Sequence, residues 1–385
     1  MRVVMLLPGL QRTGPVISVY ELTRQLLVLG ISVDALVLAR HDGDSMQSDF
    51  QRLRVPVHTL SASKYNWPCA LVQLRRFLAA CDAEIIHSAL IRPDFFLGVL
   101  RATRALKRRR PMLITTVRSR PEEEARFRMG RIGANLLIKA WAQAWNQFDV
   151  IVPLGQGIHD SLVTCKIPTA RVETINNGVD TFDFCPPNPA RRKASRATLG
   201  FLDDDIVLGS TSRLVNLKAL HLVLHAMADI GPAAKLKYLA VGSGPEGDAL
   251  KSLSAQLGLE RQVLWAGEHR DIRRFLHAMD VFVLPSLTEG SPSGLLEAGA
   301  CGLPVVVSDI PGCRDAIVHG ETGFLFPPGD VAELTAAIER MAADHVLRRR
   351  LGTDLRARIE LNFSAAQIAK RYEMLYRTLL ARSSP

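Results

Sequence analysis

Glu289 and Glu297 stand eight positions apart in Pro285-Ser286-Leu287-Thr288-Glu289-Gly290-Ser291-Pro292-Ser293-Gly294-Leu295-Leu296-Glu297-Ala298. The apolar run ending at Leu284 reads as a strand, and proline at 292 suits the first turn of a helix. Glu289 then falls in the loop and Glu297 about one turn inside the helix. At such a helix start the backbone N–H groups of Ser293, Gly294 and Leu295 are free to face an anion, aided by the helix dipole. Gly294 leaves room for close approach, and a carboxylate at 297 can accept two hydrogen bonds from vicinal hydroxyls. A capped helix with two surface glutamates would spell the same letters.

A second group lies upstream. Arg213 and Lys218 follow the strand expected at Ile206–Ser210, in Ser212-Arg213-Leu214-Val215-Asn216-Leu217-Lys218-Ala219. Two cations in a strand-to-helix loop can clamp a diphosphate, arginine with a planar fork and lysine with a point charge. They would also stabilise negative charge on a departing diphosphate. Taken alone they are equally two solvated bases. Val241-Gly242-Ser243-Gly244-Pro245-Glu246-Gly247 spells G-x-G-x-x-G after a strand and before a helix. Its proline, and the lack of an acidic residue closing the next strand, argue against a dinucleotide fingerprint. A glycine-rich loop that lets a nucleotide approach is the better reading. Asp203-Asp204-Asp205 contains a D-x-D pattern but precedes a strand, so it reads as a solvated turn.

These residues need elements to hold them. Short Val/Ile/Leu-rich runs recur at Val3–Leu7, Ser32–Ala39, Val55–Leu60, Ile85–His87, Met112–Val117, Val150–Pro153 and Val172–Ile175. They are continuous rather than alternating, as suits a parallel sheet buried on both faces. Helical patterns intervene at Val16–Leu29, Pro68–Ala80, Asp94–Leu106, Gly130–Asn146 and Gln156–Thr164. Turn chemistry at Asn176-Asn177-Gly178-Val179-Asp180 and a stop at Cys185-Pro186-Pro187-Asn188-Pro189 interrupt the alternation. It restarts with strands at Ile206–Ser210, Tyr238–Val241, Val263–Trp265, Val281–Leu284 and Val305–Val307. Helices are expected there at Ala219–Ala228, Glu246–Leu257, Ile272–Ala278, Ser293–Cys301 and Val331–Ala342, then at His345–Glu360 and Ala365–Leu380. The expected class is α/β: two doubly wound, Rossmann-like domains facing a central cleft. Ligands of open parallel sheets bind beyond the carboxyl ends of the strands, so loops of both halves should supply the site. The domain bounds read as 1–182, 183–363 and a last helix at 364–385.

The 385 residues are 48% hydrophobic and 22% charged, which excludes a disordered or collagen-like chain. Six scattered cysteines form no C-x-x-C or Cys/His cluster, so neither a zinc site nor a disulfide framework is indicated. No apolar run reaches the roughly 18 residues of a membrane span. The opening Met1–Gly9 stretch reads as a first strand rather than a signal peptide. A cytoplasmic protein is expected. Up to Ile175 the chain holds 24 Lys and Arg against 14 Asp and Glu, and from Asn176 on 24 of each, so the net +10 sits in the first half. One dense cluster is Arg101, Arg104, Lys107, Arg108, Arg109 and Arg110. Another is Arg118, Arg120, Arg126, Arg128 and Arg131. Such a surface attracts anions such as lipid head groups, a phosphorylated acceptor or nucleic acid, or it is simply a solvated face. Interleaved aromatics and any recognised nucleic-acid motif are lacking, so nucleic acid is not the expected partner.

In order along the chain, Asn177-Gly178-Val179-Asp180, the Arg213/Lys218 pair, Val241–Pro245, the E-x7-E pair, Gly302-Leu303-Pro304-Val305-Val306 and Gly320-Glu321-Thr322-Gly323-Phe324-Leu325 resemble the group 1 glycosyl transferases. These are retaining, nucleotide-sugar-dependent enzymes of GT-B fold. The resemblance covers nearly the whole chain and is strongest from Asn176 to Asp330. It implies that Arg213 and Lys218 hold the diphosphate, Glu297 the ribose and Glu289 the sugar near its anomeric centre. Residues around Gly267-Glu268-His269-Arg270 would line the base, with Gly242 and Gly244 beside the nucleotide. The last helix would brace the first domain. Two positions depart from the family pattern. Where two adjacent glycines are usual after the first strand, Gln11-Arg12-Thr13-Gly14-Pro15 keeps only Gly14. Where a histidine is common after Met112–Val117 stands Arg118, which cannot act as a base near neutral pH but can hold a phosphate or an anionic acceptor. His87 is a polar substitute or a satisfied core histidine.

The activity so implied is transfer of a sugar from a nucleotide diphosphate sugar to an acceptor hydroxyl, with retention, in bacterial surface polysaccharide or glycolipid synthesis. No cofactor or divalent metal is expected. The partners are the donor, a glycan or lipid-linked acceptor and an anionic membrane surface, giving peripheral placement at its inner face. The alternatives are a nucleotide-sugar epimerase or hydrolase on the same scaffold, a basic nucleic-acid-binding protein and, more remotely, a nicotinamide dehydrogenase.

Overall fold

The computed structural model describes residues 1–39, 43–60, 66–103, 111–231 and 235–383, and all structural statements concern these. The chain forms two units. The first is Met1–Gly178 with the chain from Ala365 onward; the second is Val179–Ser364.

The first unit carries β1 (Arg2–Leu7), β2 (Ser32–Val37), β3 (Val57–Thr59), β4 (Ile85–Ala89), β5 (Met112–Val117) and β6 (Val150–Pro153). All are parallel, in the order β3-β2-β1-β4-β5-β6. Val3 to Leu7 are at most 1% exposed, as a strand covered on both faces requires. The helix Ala365–Ser383 packs on the helix Gly14–Val28 and buries Ile368, Tyr372 and Tyr376 against one face of this sheet. The second unit carries β7 (Ile206–Thr211), β8 (Leu236–Val241), β9 (Val263–Gly267), β10 (Val281–Leu284), β11 (Val305–Ser308) and β12 (Phe324–Phe326), in the parallel order β12-β11-β10-β7-β8-β9. In each unit the first and fourth strands are neighbours although distant in sequence. The chain direction across the sheet reverses there, which is where such sheets open a crevice.

Several expected elements are corrected. Val172–Ile175 forms an isolated bridge rather than a strand: Val172 bridges Ile151, and the amides of Glu173 and Ile175 donate to the β6 carbonyls of Ile151 and Pro153 at 3.1 and 3.2 Å. The strand expected at Val55–Leu60 shrinks to β3, since Pro56 offers the ladder a carbonyl but no N–H. The proline-rich stop at 185–189 is a helix start. Pro189 opens the helix Pro189–Thr198, and the Asn188 side chain accepts from the Arg191 amide at 2.8 Å. The helix expected from Gly130 is found up to Trp145, but a further helical stretch from Pro121 precedes it, the two meeting at a break where Gly130 holds φ 65°, ψ −176°. The helix expected to reach Leu106 is Ile91–Ala102, and residues 104–106 lie outside the described residues.

The charge clusters are less uniform than their spelling. Arg104, Lys107, Arg108, Arg109 and Arg110 lie outside the described residues. Arg101 is turned inward, 2.5 Å from Asp149 with its side chain 9% exposed, so it offers no surface charge. Arg120 pairs with Glu122 and Glu123, and Arg128 with Glu124.

Candidate nucleotide site

At the carboxyl ends of β7 and β10 the loops of the second unit converge. β7 ends at Thr211 and β10 at Leu284. Arg213, exposed, sits in the first loop, and its guanidinium has no hydrogen-bond or ion-pair partner among the described residues. Lys218 ends a short 3-10 turn at Asn216–Lys218, which Ala219 closes in the left-handed region at φ 48°. The Lys218 ammonium hydrogen-bonds Glu289 Oε1. Ser286 Oγ donates to the same oxygen at 2.7 Å. The acidic and basic candidates are therefore one cluster, with side-chain exposures of 10% for Glu289 and 22% for Lys218. Lys218 neutralises Glu289, and Arg213 supplies the net positive charge.

The helix Ser293–Ala300 starts beside this cluster. One expectation is corrected: the Leu295 amide is not free, because the chain turns tightly at the helix start and Leu295 donates to the Pro292 carbonyl at 3.1 Å. The amides of Ser293 and Gly294 have no acceptor among the described residues and remain available to an anion. Glu297, half-buried one turn on, has no side-chain partner among the described residues. Burial alone pushes its carboxyl up to about 7.

Glycines allow the loops to interlock. A Cβ at Gly242 (φ +139°) would stand 1.9 Å from the Ser212 carbonyl oxygen, and one at Gly294 2.7 Å from Thr211 Oγ1. Gly244 is constrained by space alone, its Cβ position lying 2.3 Å from the Leu214 carbonyl oxygen. On the β9 side, Gly242 N–H donates to Gly267 O at 2.7 Å and Ser243 Oγ to Glu268 Oε2 at 2.8 Å. His269 Nε2 donates to Ala266 O at 2.9 Å, and its ring lies on Phe275 with centroids 4.5 Å apart. Glu268, His269 and Arg270 are exposed. Thr211 Oγ1 and Ser212 Oγ, which the sequence reading did not single out, are buried at the end of β7 without a partner among the described residues. Ser286 was missed as well. Its signal was its spacing of three from Glu289.

Three candidates belong to the first unit. Gly14 opens the helix Gly14–Val28, and a Cβ there would meet nothing within 4 Å, so packing does not require glycine. His87 lies in the middle of β4 rather than at its end. It is 3% exposed, with Nδ1 2.7 Å from Tyr376 Oη and Nε2 2.6 Å from Thr116 Oγ1. Burial, then Arg118, lower it to about 3, so it is a neutral, fully engaged core histidine rather than a ligand group. Arg118 directly follows β5. Asp203–Asp205 precedes β7, at the sheet's other end. Asp204 pairs with Lys235, and Asp205 is buried, accepting from the Leu202 amide at 2.8 Å. Among the described residues no three His, Cys, Asp or Glu side chains converge as a metal site.

Residues 191–358 match the family model for glycosyl transferases group 1, and residues 12–182 match that for glycosyltransferase family 4. Residues 191–358 therefore carry the group 1 glycosyltransferase domain. The chain's N-acetyl-alpha-D-glucosaminyl L-malate synthase relative from Bacillus anthracis is 26% identical over 61% of this chain and 61% of that protein. The capsular polysaccharide biosynthesis glycosyltransferase CapM of Staphylococcus aureus is 28% identical over 60% and 62%. The chain thus spans about three-fifths of the length of these curated relatives. The crystal structure of Anabaena HepE in complex with UDP superimposes with a TM-score of 0.85 at 19% identity, covering 98% of this chain and 100% of that one. The fold is therefore the GT-B fold of such glycosyltransferases.

Proposed function

We propose that the protein transfers a sugar from a nucleotide diphosphate sugar to an acceptor hydroxyl with retention, in the synthesis of a bacterial surface polysaccharide or glycolipid. The observation that carries this reading is the β7/β10 cluster: an unpaired Arg213, the Lys218–Glu289 pair and two free amides at a helix start. Arg213 and those amides take the diphosphate, and Lys218 stands ready to follow the charge that develops on it. A retaining double displacement needs a second carboxylate roughly 5–5.5 Å across the sugar from the first. Glu289 is already occupied by Lys218 and Ser286. Departure and attack on one face fit better, with the leaving diphosphate accepting the acceptor's proton. We expect no divalent metal: Arg213, the Lys218 ammonium and the two amides at the helix start share the contacts to the diphosphate. Similar proteins support this class: CapM is a capsular polysaccharide biosynthesis glycosyltransferase and HepE is seen with UDP.

The test is a thermal-shift screen over UDP-, GDP- and ADP-sugars at pH 6 and pH 8, followed by turnover and product anomer analysis. Glu297, with its carboxyl raised to about 7, is mostly protonated at pH 6 and mostly ionised at pH 8. Nucleotide should therefore bind several-fold tighter at pH 8, and Glu297→Gln should remove the difference. The same shift makes the free fold less stable as pH rises from the ordinary carboxylate range through 7, since the native state then holds a proton the unfolded state releases. Binding of no nucleotide sugar would refute the reading, and rapid epimerisation or hydrolysis of donor alone would favour the alternative enzyme.

The acceptor side engages an anionic membrane surface through the helical segment that breaks at Gly130. In Pro121–Trp145, Phe127, Ile132 and Leu136 are 88%, 98% and 73% exposed. Residues 125–145 contain four basic and no acidic residues. Apolar side chains set among cations are the chemistry of interfacial binding. The protein should float with vesicles containing phosphatidylglycerol and lose most of that association in a Phe127→Ser/Ile132→Ser variant. Equal flotation of both proteins, or none with either, would overturn this assignment.

A further inference from the structure

Arg118 is a half-buried charge without a counter-ion among the described residues. It lines a recess of about 20 Å³ in the first unit, together with Ser18, Asn176, Asn177 and Tyr372. Its Nε is buried and has no partner among the described residues. Its Nη1 reaches only Asn177 Oδ1, at 3.5 Å, and that oxygen already accepts a 2.7 Å hydrogen bond from Ser18 Oγ. Glu21 borders the same recess, but its carboxylate is held by Arg24 at 2.8 Å and 3.0 Å. The neighbouring His87 has both ring nitrogens engaged and is neutral. Tyr372 Oη leans on Thr116 Oγ1 at 3.3 Å. Burial lowers the guanidinium only to about 10, so it stays charged at neutral pH. Enclosing an ion without a partner is strongly unfavourable, and the shortfall is made good when a ligand brings the opposite charge.

We propose that Arg118 is the floor of an anion subsite in the first unit, which seats one oxygen of a carboxylate or phosphate group carried by a substrate. The guanidinium fork matches both groups, and the Ser18 and asparagine side chains surround it with further polar partners. The volume admits about one water-sized atom, so the rest of the anionic group lies at the mouth. The word substrate rests on the transfer reading above. The anion subsite itself does not.

The test uses the full chain carrying Arg213→Ala, so that the diphosphate cradle of the second unit does not report. Acetate and inorganic phosphate are titrated separately at constant ionic strength, and Tm is followed. A saturable rise in Tm is expected, with the more effective anion identifying a carboxylate or a phosphate. Adding Arg118→Gln should weaken the midpoint at least about tenfold and leave the anion-free Tm equal or higher, because an uncompensated charge has gone. An anion-free Tm several degrees lower, with an unchanged anion response, would make Arg118 a structural strut and overturn the proposal, as would a response that never saturates. UDP binding to the Arg118→Gln protein with Arg213 intact is measured in parallel. Its loss in every form of the protein would count against the transfer reading and leave the anion titration to decide Arg118.

Discussion

Lys218→Ala should lower sugar transfer by about 10²- to 10³-fold, the range seen when one preorganised group facing developing charge is removed. The lysine is placed for that role by local backbone. The 3-10 turn ends on it, Ala219 redirects the chain at φ 48°, and the ammonium meets Glu289 from the neighbouring β10 loop. Without the lysine, Glu289 keeps only Ser286, and a carboxylate 10% exposed loses its counter-charge. The developing charge on the leaving diphosphate is left to Arg213, whose guanidinium has no hydrogen-bond or ion-pair partner among the described residues. The fold should survive. Lys218 is 22% exposed and buries little apolar surface, so the stability cost is about 1–2 kcal/mol after allowing for solvent screening. Circular dichroism melting and initial-rate measurements on the same preparation separate the two effects. Near-wild-type turnover in a folded variant would take Lys218 out of the mechanism.

What the sequence disclosed follows from what is local. Continuous apolar runs alternating with helical periodicity are enough to call two doubly wound sheets, and Arg213, Lys218, Glu289 and Glu297 all follow strand ends, so all fall at one end of the second sheet. Contacts set by sheet order were not legible. The Lys218–Glu289 pair exists because β10 lies next to β7, 70 residues away in the chain, and strand order is decided by crossover packing rather than by any short string. Thr211 and Ser212, set against glycines of neighbouring loops, were invisible for the same reason, whereas the signal of Ser286 was local, three residues before Glu289. His87 shows a different limit: a histidine inside an apolar strand reads identically whether its nitrogens face a ligand or, as here, Tyr376 and Thr116. Edge elements failed where they were too short to show a period, as with the three-residue β12. Proline misled at 189 because it ends one element and begins the next.

Gly242→Ala should be the most damaging single methyl in the second unit. Two penalties coincide there. The backbone holds φ +139°, a region that side chains rarely enter, and the new Cβ would stand 1.9 Å from the Ser212 carbonyl oxygen. Neither neighbour can give way cheaply. Gly242 N–H is fixed to Gly267 O at 2.7 Å, and Ser212 N–H to Val241 O at 3.0 Å. Relief would require the Arg213 loop to part from the glycine-rich loop. A loss of about 3 kcal/mol is expected, lowering Tm by roughly 6–12 °C for a unit of this size. Nucleotide affinity should fall with it, because Arg213 moves with Ser212. Gly200→Ala separates the two penalties: Gly200 also has positive φ, +77°, but its Cβ position has nothing within 4 Å. That variant should cost only about 1 kcal/mol and leave nucleotide binding unchanged. Equal losses in the two variants would mean that backbone conformation alone, and not the interlocking of the β7 and β8 loops, shapes the nucleotide site.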